Sequence, residues 1–406
     1  MKKENKFDEK ILAYALKNAI EHGGKAAVNS VLNSLFHEGL EKSRIKEVMP
    51  LIQKTISEVN SMPADKQKEK MEEFEKDIDH RKEREGLPEL PDVPKTGVVM
   101  RFRPAPSGPM HVGHVISNMI SSLFVKKYGG KFYIIIDDTN PEEALKESYK
   151  NIKEDCDWLF GNVHEYINSS DRINIHYKYA EELIAKKFAY VCTCSSEEFK
   201  KLIDKSEPCP CRKLDAKENL ARWKKMLDKK GYKQGEAVLR FKSDINNPNP
   251  AMRDFPLARI NEASHPIQGK KYRVWPLMNL SVASDDMDYG MTHVIRGKDH
   301  RDNAERQKMI FRALGKEKKF PWTFFMGRIK FTDLILSKRK ISAAIEKGEF
   351  EGFEDARLPT IASLRKRGYR PEAFAKFAEF RGLTEVDKVM GQKDFFDELD
   401  RFNNAE

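Results

Sequence analysis

The stretch PAPSGPMHVGH, from Pro104 to His114, sets two histidines three residues apart behind a loop rich in proline and glycine. If a helix opens there, His111 and His114 lie one turn apart and their rings point the same way. The N-terminus of such a helix favours negative charge. Gly113, between them, removes a side chain where a flat base or a phosphate needs close approach to the backbone. Two imidazole donors at a positive helix end suit an α-phosphate whose charge rises in a transition state. An isolated HxxH pair reads equally as two structural histidines, so the surrounding elements must decide. Neither GxGxxG nor GxxxxGK[ST] occurs in this stretch, which leaves dinucleotide and P-loop readings unsupported.

A second cluster lies further on. Four of the five cysteines come in two pairs, CTC and CPC: Cys192, Cys194, Cys209 and Cys211. In a cytosolic chain such spacing points to metal before disulfides. Four thiolates close a tetrahedral Zn²⁺ shell and leave no open position, so the site would be structural. The alternative is four reduced thiols without metal. Cys156, in KEDCDWLF, reads as an ordinary packed residue.

Lysine and arginine number 74 against 64 acidic residues, a net charge of +10, which favours a polyanionic partner or simply solubility. No apolar run approaches the roughly 20 residues of a membrane span. MKKENKFDEKILAYALKN mixes charges into its apolar positions, unlike a signal peptide. The expectation is a cytoplasmic protein with no membrane partner.

These residues need a frame. Residues 6–61 show helical periodicity, KQKEKMEEFEKDIDHRKEREG suits a solvated helix, and LPELPDVPKTG reads as an extended linker. A helical domain and linker are therefore expected over 1–95. GVVMRFR, HVGHVISNMISSLFVKKYGG and KFYIIIDD then give strand, helix and strand, a βαβ unit with a parallel pair. The histidines fall at its strand-to-helix turn, where open parallel sheets bind ligands. A second such portion surrounds NLSVASDDMDYGMTHVIRGKDHRDNAERQKMIFRAL, and the cysteine segment with EAVLRFK and KYRVW lies between. The fold class is α/β, a parallel sheet split by an insertion. The expected parts are 96–190 and 280–332 for the two sheet halves, 191–279 for the insertion and 333–406 for a helical junction.

RFRPAPSGPMHVGH resembles the HIGH signature of class I aminoacyl-tRNA synthetases, in the version used by the glutamyl and glutaminyl branch. Downstream, LILSKRKI resembles the partner KMSKS loop, with Ser337, Lys338, Arg339 and Lys340 after IKFTD. The resemblance runs from about Gly97 to the C-terminus through IIIDDTNPEEA, THVIRGKDHRDNAERQ and EGFEDARLPTIASLRKRGYRPEAF, the last resembling the archaeal and eukaryotic type. GGKAAVNSVLNSL is similar to N-terminal extensions of archaeal glutamyl enzymes.

The resemblance implies a Rossmann-like catalytic core, split by an insertion that holds the tRNA acceptor end and carries the zinc motif. It implies activation of L-glutamate by ATP with Mg²⁺, then transfer to the 3′ end of tRNA(Glu), with tRNA(Gln) as a second acceptor left open. In this branch tRNA is bound before glutamate is activated. His111, Gly113, His114 and Lys338 match the catalytic positions, with Ser337 and Arg339 beside them on ATP. Arg101 matches an arginine held against the substrate side chain, Asp137 an acid that meets the α-amino group, and Arg296 another arginine of the substrate pocket. Three positions depart from the pattern. Arg103 replaces a small residue or proline, Ile135 stands where an arginine often precedes the acidic pair, and Met278 replaces a substrate-contacting tyrosine. Relatives continue beyond FFDELDRFNNAE into anticodon-binding β-barrels. A fragment of a longer chain, a separate chain supplying that module, and a short paralogue resembling glutamyl-queuosine synthetases are the open alternatives. A glutaminyl enzyme and a non-catalytic tRNA-binding protein are the functional rivals.

Overall fold

The structure is a computed structural model that describes residues 7–21, 23–74, 86–334 and 338–404. It divides into two compact units, Met1–Glu83 and Arg84–Glu406.

The first unit is helical: Asp8–Glu21, Val28–His37, Ile45–Asn60 and Ala64–Glu72. Ile11, Leu16, Val31, Leu35, Val48, Ile52 and Val59 are fully buried, the three- and four-residue recurrence expected of apolar helix faces. Gln67 locks the last helix down by donating its side-chain amide to the carbonyls of Val59 (2.8 Å) and Gly24 (3.0 Å). The front of the charged stretch is helical as expected, to Glu72, and residues 75–85 lie outside the described residues.

The second unit holds the parallel layer. Strands β1 (Val98–Phe102), β2 (Gly130–Ile136) and β3 (Glu165–Asn168) pair in parallel in that order, connected by helices Val112–Tyr128 and Lys146–Phe160. Val98, Met100, Phe102, Phe132, Ile134 and Ile136 face one core, and Tyr133 and Ile135 pack with Met291 and Val294 on the other face. Cover on both faces is why these strands read as continuous apolar runs. Gly130 has φ +115°, and a Cβ there would fall 2.0 Å from the Val98 carbonyl oxygen, so the start of β2 requires glycine.

The insertion follows as an antiparallel sheet of β4 (Ala189–Cys192), β5 (Val238–Phe241), β6 (Pro256–Ile260) and β7 (Val274–Pro276), with helices Ser196–Asp204 and Ala216–Leu227 between β4 and β5. The chain then returns through helix Met278–Asp288 to a second parallel pair, β8 (His293–Gly297) and β9 (Trp322–Met326), joined by helix Arg301–Ala313. Just before β8, the Thr292 amide donates to the Val99 carbonyl at 2.9 Å and its hydroxyl accepts from the Val99 amide at 2.9 Å, so the two halves of the layer meet at β1.

Strands β10 (Ile329–Phe331) and β11 (Lys388–Met390) pair in parallel, accompanied by helices Lys338–Glu346, Ile361–Lys366, Pro371–Arg381 and Gln392–Asn404. Phe374, Phe377, Phe395 and Leu399 share the core of β1 and β2. The proline stretch expected as an extended linker belongs to this unit. Leu90 is buried in the same core with Leu87 and Val93 against it, and the Leu90 amide donates to Tyr128 Oη at 3.1 Å. Apolar residues between the prolines gain more from burial than from remaining extended in water. Among the described residues, no helix is long and apolar enough to cross a membrane.

Candidate active site

Helix Val112–Tyr128 begins where expected, with His111 extended as its N-cap. His111 Nδ1 accepts from the Gly113 amide at 3.2 Å, and the His111 amide donates to His114 Nδ1 at 3.3 Å. The imidazoles therefore cap the helix reciprocally, their ring centres 3.9 Å apart. Both accept at Nδ1, which fixes the proton of each neutral ring on Nε2, where it can donate outward. The Val112 amide is taken by the Pro359 carbonyl at 3.2 Å, and Ile361 donates to Met110 at 3.0 Å, so the 359–361 segment braces the turn. The expected positive helix end is thus already engaged at its first amides.

His114 and Gly113 line an outer cleft of about 1120 Å³, bordered across from them by β10 residues Ile329 and Phe331. β10 leads toward the lysine-bearing loop. Ser337 lies outside the described residues, and Lys338 and Arg339 open the helix Lys338–Glu346. An inner cleft of about 610 Å³ adjoins the outer one, and Ser117, Asn118, Gly297 and His300 line both. The inner cleft gathers Arg101, Arg103, Asp137, Met278 and Arg296 from four different segments of the chain. Arg101, Asp137 and Arg296, singled out separately in the sequence, are therefore neighbours.

Their partners differ. Arg101 donates Nε and Nη2 to Asp286 at 2.5 and 2.8 Å, a buried bidentate pair that fixes the guanidinium. Asp137 meets Arg103 Nε at 3.3 Å. Arg296 has no carboxylate within ion-pair distance among the described residues. Its Nη1 donates to Gln307 at 2.8 Å and its Nε is buried without a partner. Burial, then repulsion from Arg101, pulls the Arg296 guanidinium down to about 10, so it stays charged at neutral pH. His300 is also held below its ordinary value, by burial first and Arg296 next. Asp286 and Asp299 act on Arg296 in the opposite sense, without pairing with it directly.

Asp285, Asp286, Asn118, His300 and Gln307 belong to this site and were not singled out from the sequence. DDMD was visible, but nothing in its spacing says that Asp286 will meet an arginine 185 positions earlier. Met278 opens the helix Met278–Asp288 at the cleft wall, and Ile135 is buried beneath it in the opposite-face core.

The four cysteines converge at the end of β4 and the turn Pro210–Lys213. Their sulfurs all lie within 4.8 Å of one another, with Cys192–Cys209 at 3.8 Å and Cys194–Cys211 at 4.0 Å. A tetrahedral shell with bonds of about 2.3 Å places sulfurs about 3.8 Å apart, so the set fits Zn²⁺. Cys211 accepts from the Thr193 amide at 3.4 Å and Arg222 Nη1 at 3.5 Å, donors suited to a thiolate. Cys156 is buried in the main core, as expected.

Residues 97–402 match the family model of class I tRNA synthetases (E and Q), catalytic domain. The chain belongs to this family. Among curated relatives, the glutamate–tRNA ligase of Methanocaldococcus jannaschii is 44% identical over 382 residues, covering 94% of this chain and 68% of that one. The Pyrococcus horikoshii glutamate–tRNA ligase is 46% identical over 391 residues, again 94% and 68%. The solved glutamate–tRNA synthetase of Elizabethkingia anophelis aligns with a TM-score of 0.50 at 19% identity, over 75% of this chain and 69% of that one, a likeness of fold. In this class I synthetase, then, the split parallel layer, the insertion and the HIGH-like turn all lie within the region matched by the catalytic-domain family.

Proposed function

We propose that this chain ligates glutamate to tRNA. The α-carboxylate of L-glutamate attacks the α-phosphorus of ATP, the bond to the β-phosphate breaks, and pyrophosphate leaves. The glutamyl group of the adenylate then passes to the 3′-terminal ribose of tRNA(Glu), releasing AMP. No covalent bond to the enzyme is required, so acceleration comes from positioning and charge stabilisation. His111 and His114 donate Nε2–H to the α-phosphate in the outer cleft. Lys338, with Ser337 and Arg339, follows the triphosphate and the departing pyrophosphate, and Mg²⁺ accompanies that charge. Asp137 receives the α-ammonium group, and Arg101 and Arg296 receive the anionic end of the substrate. Zn²⁺ on Cys192, Cys194, Cys209 and Cys211 shapes the insertion that meets the acceptor end. Binding of tRNA precedes activation.

The observation that carries this reading is Arg296: a largely buried guanidinium, with no carboxylate within ion-pair distance among the described residues, in a cleft that adjoins the one holding His114. A dicarboxylic amino acid supplies the missing charge. A glutamine side chain is neutral and would leave it uncompensated, which favours the glutamyl over the glutaminyl reaction. The 40–46% identity to archaeal glutamate–tRNA ligases across nearly the whole chain supports the same choice. The test is incubation of the full chain with ATP, total archaeal tRNA and labelled amino acid. Base-labile glutamate on the tRNA 3′ end is the expected product; base-labile glutamine instead would overturn the reading.

A further inference from the structure

No step above uses Arg103, although it borders the inner cleft and its side chain is only 6% exposed. It is held on two sides. Nη1 donates to Asp285 at 2.7 Å, and Nη2 donates to the hydroxyls of Ser169 and Ser281, both at 3.0 Å. Asp285 is itself anchored by Arg172 Nε at 2.6 Å. What remains is Nε, buried without an in-line acceptor, 3.3 Å from Asp137. The guanidinium is thus immobilised, and its Nε–H sits against the carboxylate proposed to receive the substrate's amino group.

The sheet explains how an arginine arrives there. Phe102 pairs with Ile134, and the Asp137 amide donates to the Pro104 carbonyl at 2.8 Å, so position 103 lies level with position 135 on the neighbouring strand. Strand alternation puts 99, 101 and 103 on the same face as Tyr133 and Ile135. At 135 this chain has a fully buried isoleucine, the position where the family resemblance leads one to expect an arginine.

We infer that Arg103 is the positioning residue for Asp137: from β1 it supplies the cation that orients the carboxylate meeting the substrate's α-ammonium group, in place of an arginine at position 135 on β2. The inference rests on the reading of Asp137 given above, and the experiment separates the two. Calorimetry on the full chain compares a non-hydrolysable sulfamoyl analogue of glutamyl-adenylate with its counterpart lacking the α-amino group. The unaltered protein prefers the amino compound by about tenfold or more, the scale of one charge-assisted hydrogen bond. Asp137→Asn and Arg103→Ala each remove that preference while the des-amino compound binds as before. Should Arg103→Ala fail to fold, Arg103→Lys serves, because a single ammonium cannot hold Asp285, two serines and Asp137 at once. If Asp137→Asn loses the preference and a folded Arg103 variant keeps it, or weakens both compounds alike, Arg103 is a structural ion pair and the inference falls. If Asp137→Asn keeps the preference, the role of Asp137 falls and the inference with it.

Discussion

Arg296 and the two histidines ask different things of a substrate, and mutation should separate them. Arg296 meets charge that is present in ground state and transition state alike, so its loss should appear in binding. Arg296→Gln is expected to raise the KM for glutamate by at least about thirtyfold, the scale of leaving a buried charge unpaired, with the KM for ATP unchanged. Steady-state pyrophosphate exchange reads both, and an unaltered glutamate KM would remove Arg296 from the substrate pocket. His114 and Lys338 act where charge develops. His114→Ala and Lys338→Ala should each lower kcat by on the order of 10²-fold, the cost of one transition-state donor, and wild-type turnover in either would end that assignment. The histidines were legible because their relation is local: three residues apart at a helix start, they can only share a face. The fork of Arg101 was not. Its occupation by Asp286 joins β1 to a helix 185 positions on, and no local pattern encodes that pairing.

The elements divide along the same line. β1, β2 and the helix between them were readable because burial on both faces writes a continuous apolar run, bounded by glycines. β3, four residues reading EYIN, carries no such run because it lies at the edge of its pairing order and is only partly covered. The proline stretch read as an extended linker, and its packing into the core was not visible for a related reason. Prolines report backbone stiffness, whereas Leu87, Leu90 and Val93 decide where the segment packs. The cysteine cluster sits between these cases. CTC and CPC announce ligands, but only the fold shows that β4 and the turn Pro210–Lys213 bring the four sulfurs within one shell. One zinc per chain is expected by metal analysis, and Cys209→Ser should lose it and lower the melting temperature. Unchanged stoichiometry in that variant would refute the four-thiolate site.

Taken whole, the chain joins a helical unit with its own core to a larger unit in which sheet, insertion and C-terminal helices position one pair of adjoining clefts. It spans 68% of the length of the archaeal ligases it resembles, and the match to the catalytic family covers 97–402. Both clefts are built entirely within that region. The adenylate-forming chemistry is therefore expected to reside within the matched region. The most direct measurement is ATP–pyrophosphate exchange by the full chain, with glutamate and glutamine side by side, with and without total archaeal tRNA. Exchange with glutamate alone, and only when tRNA is present, is the expected result. Exchange driven by glutamine, with glutamate silent, would contradict it.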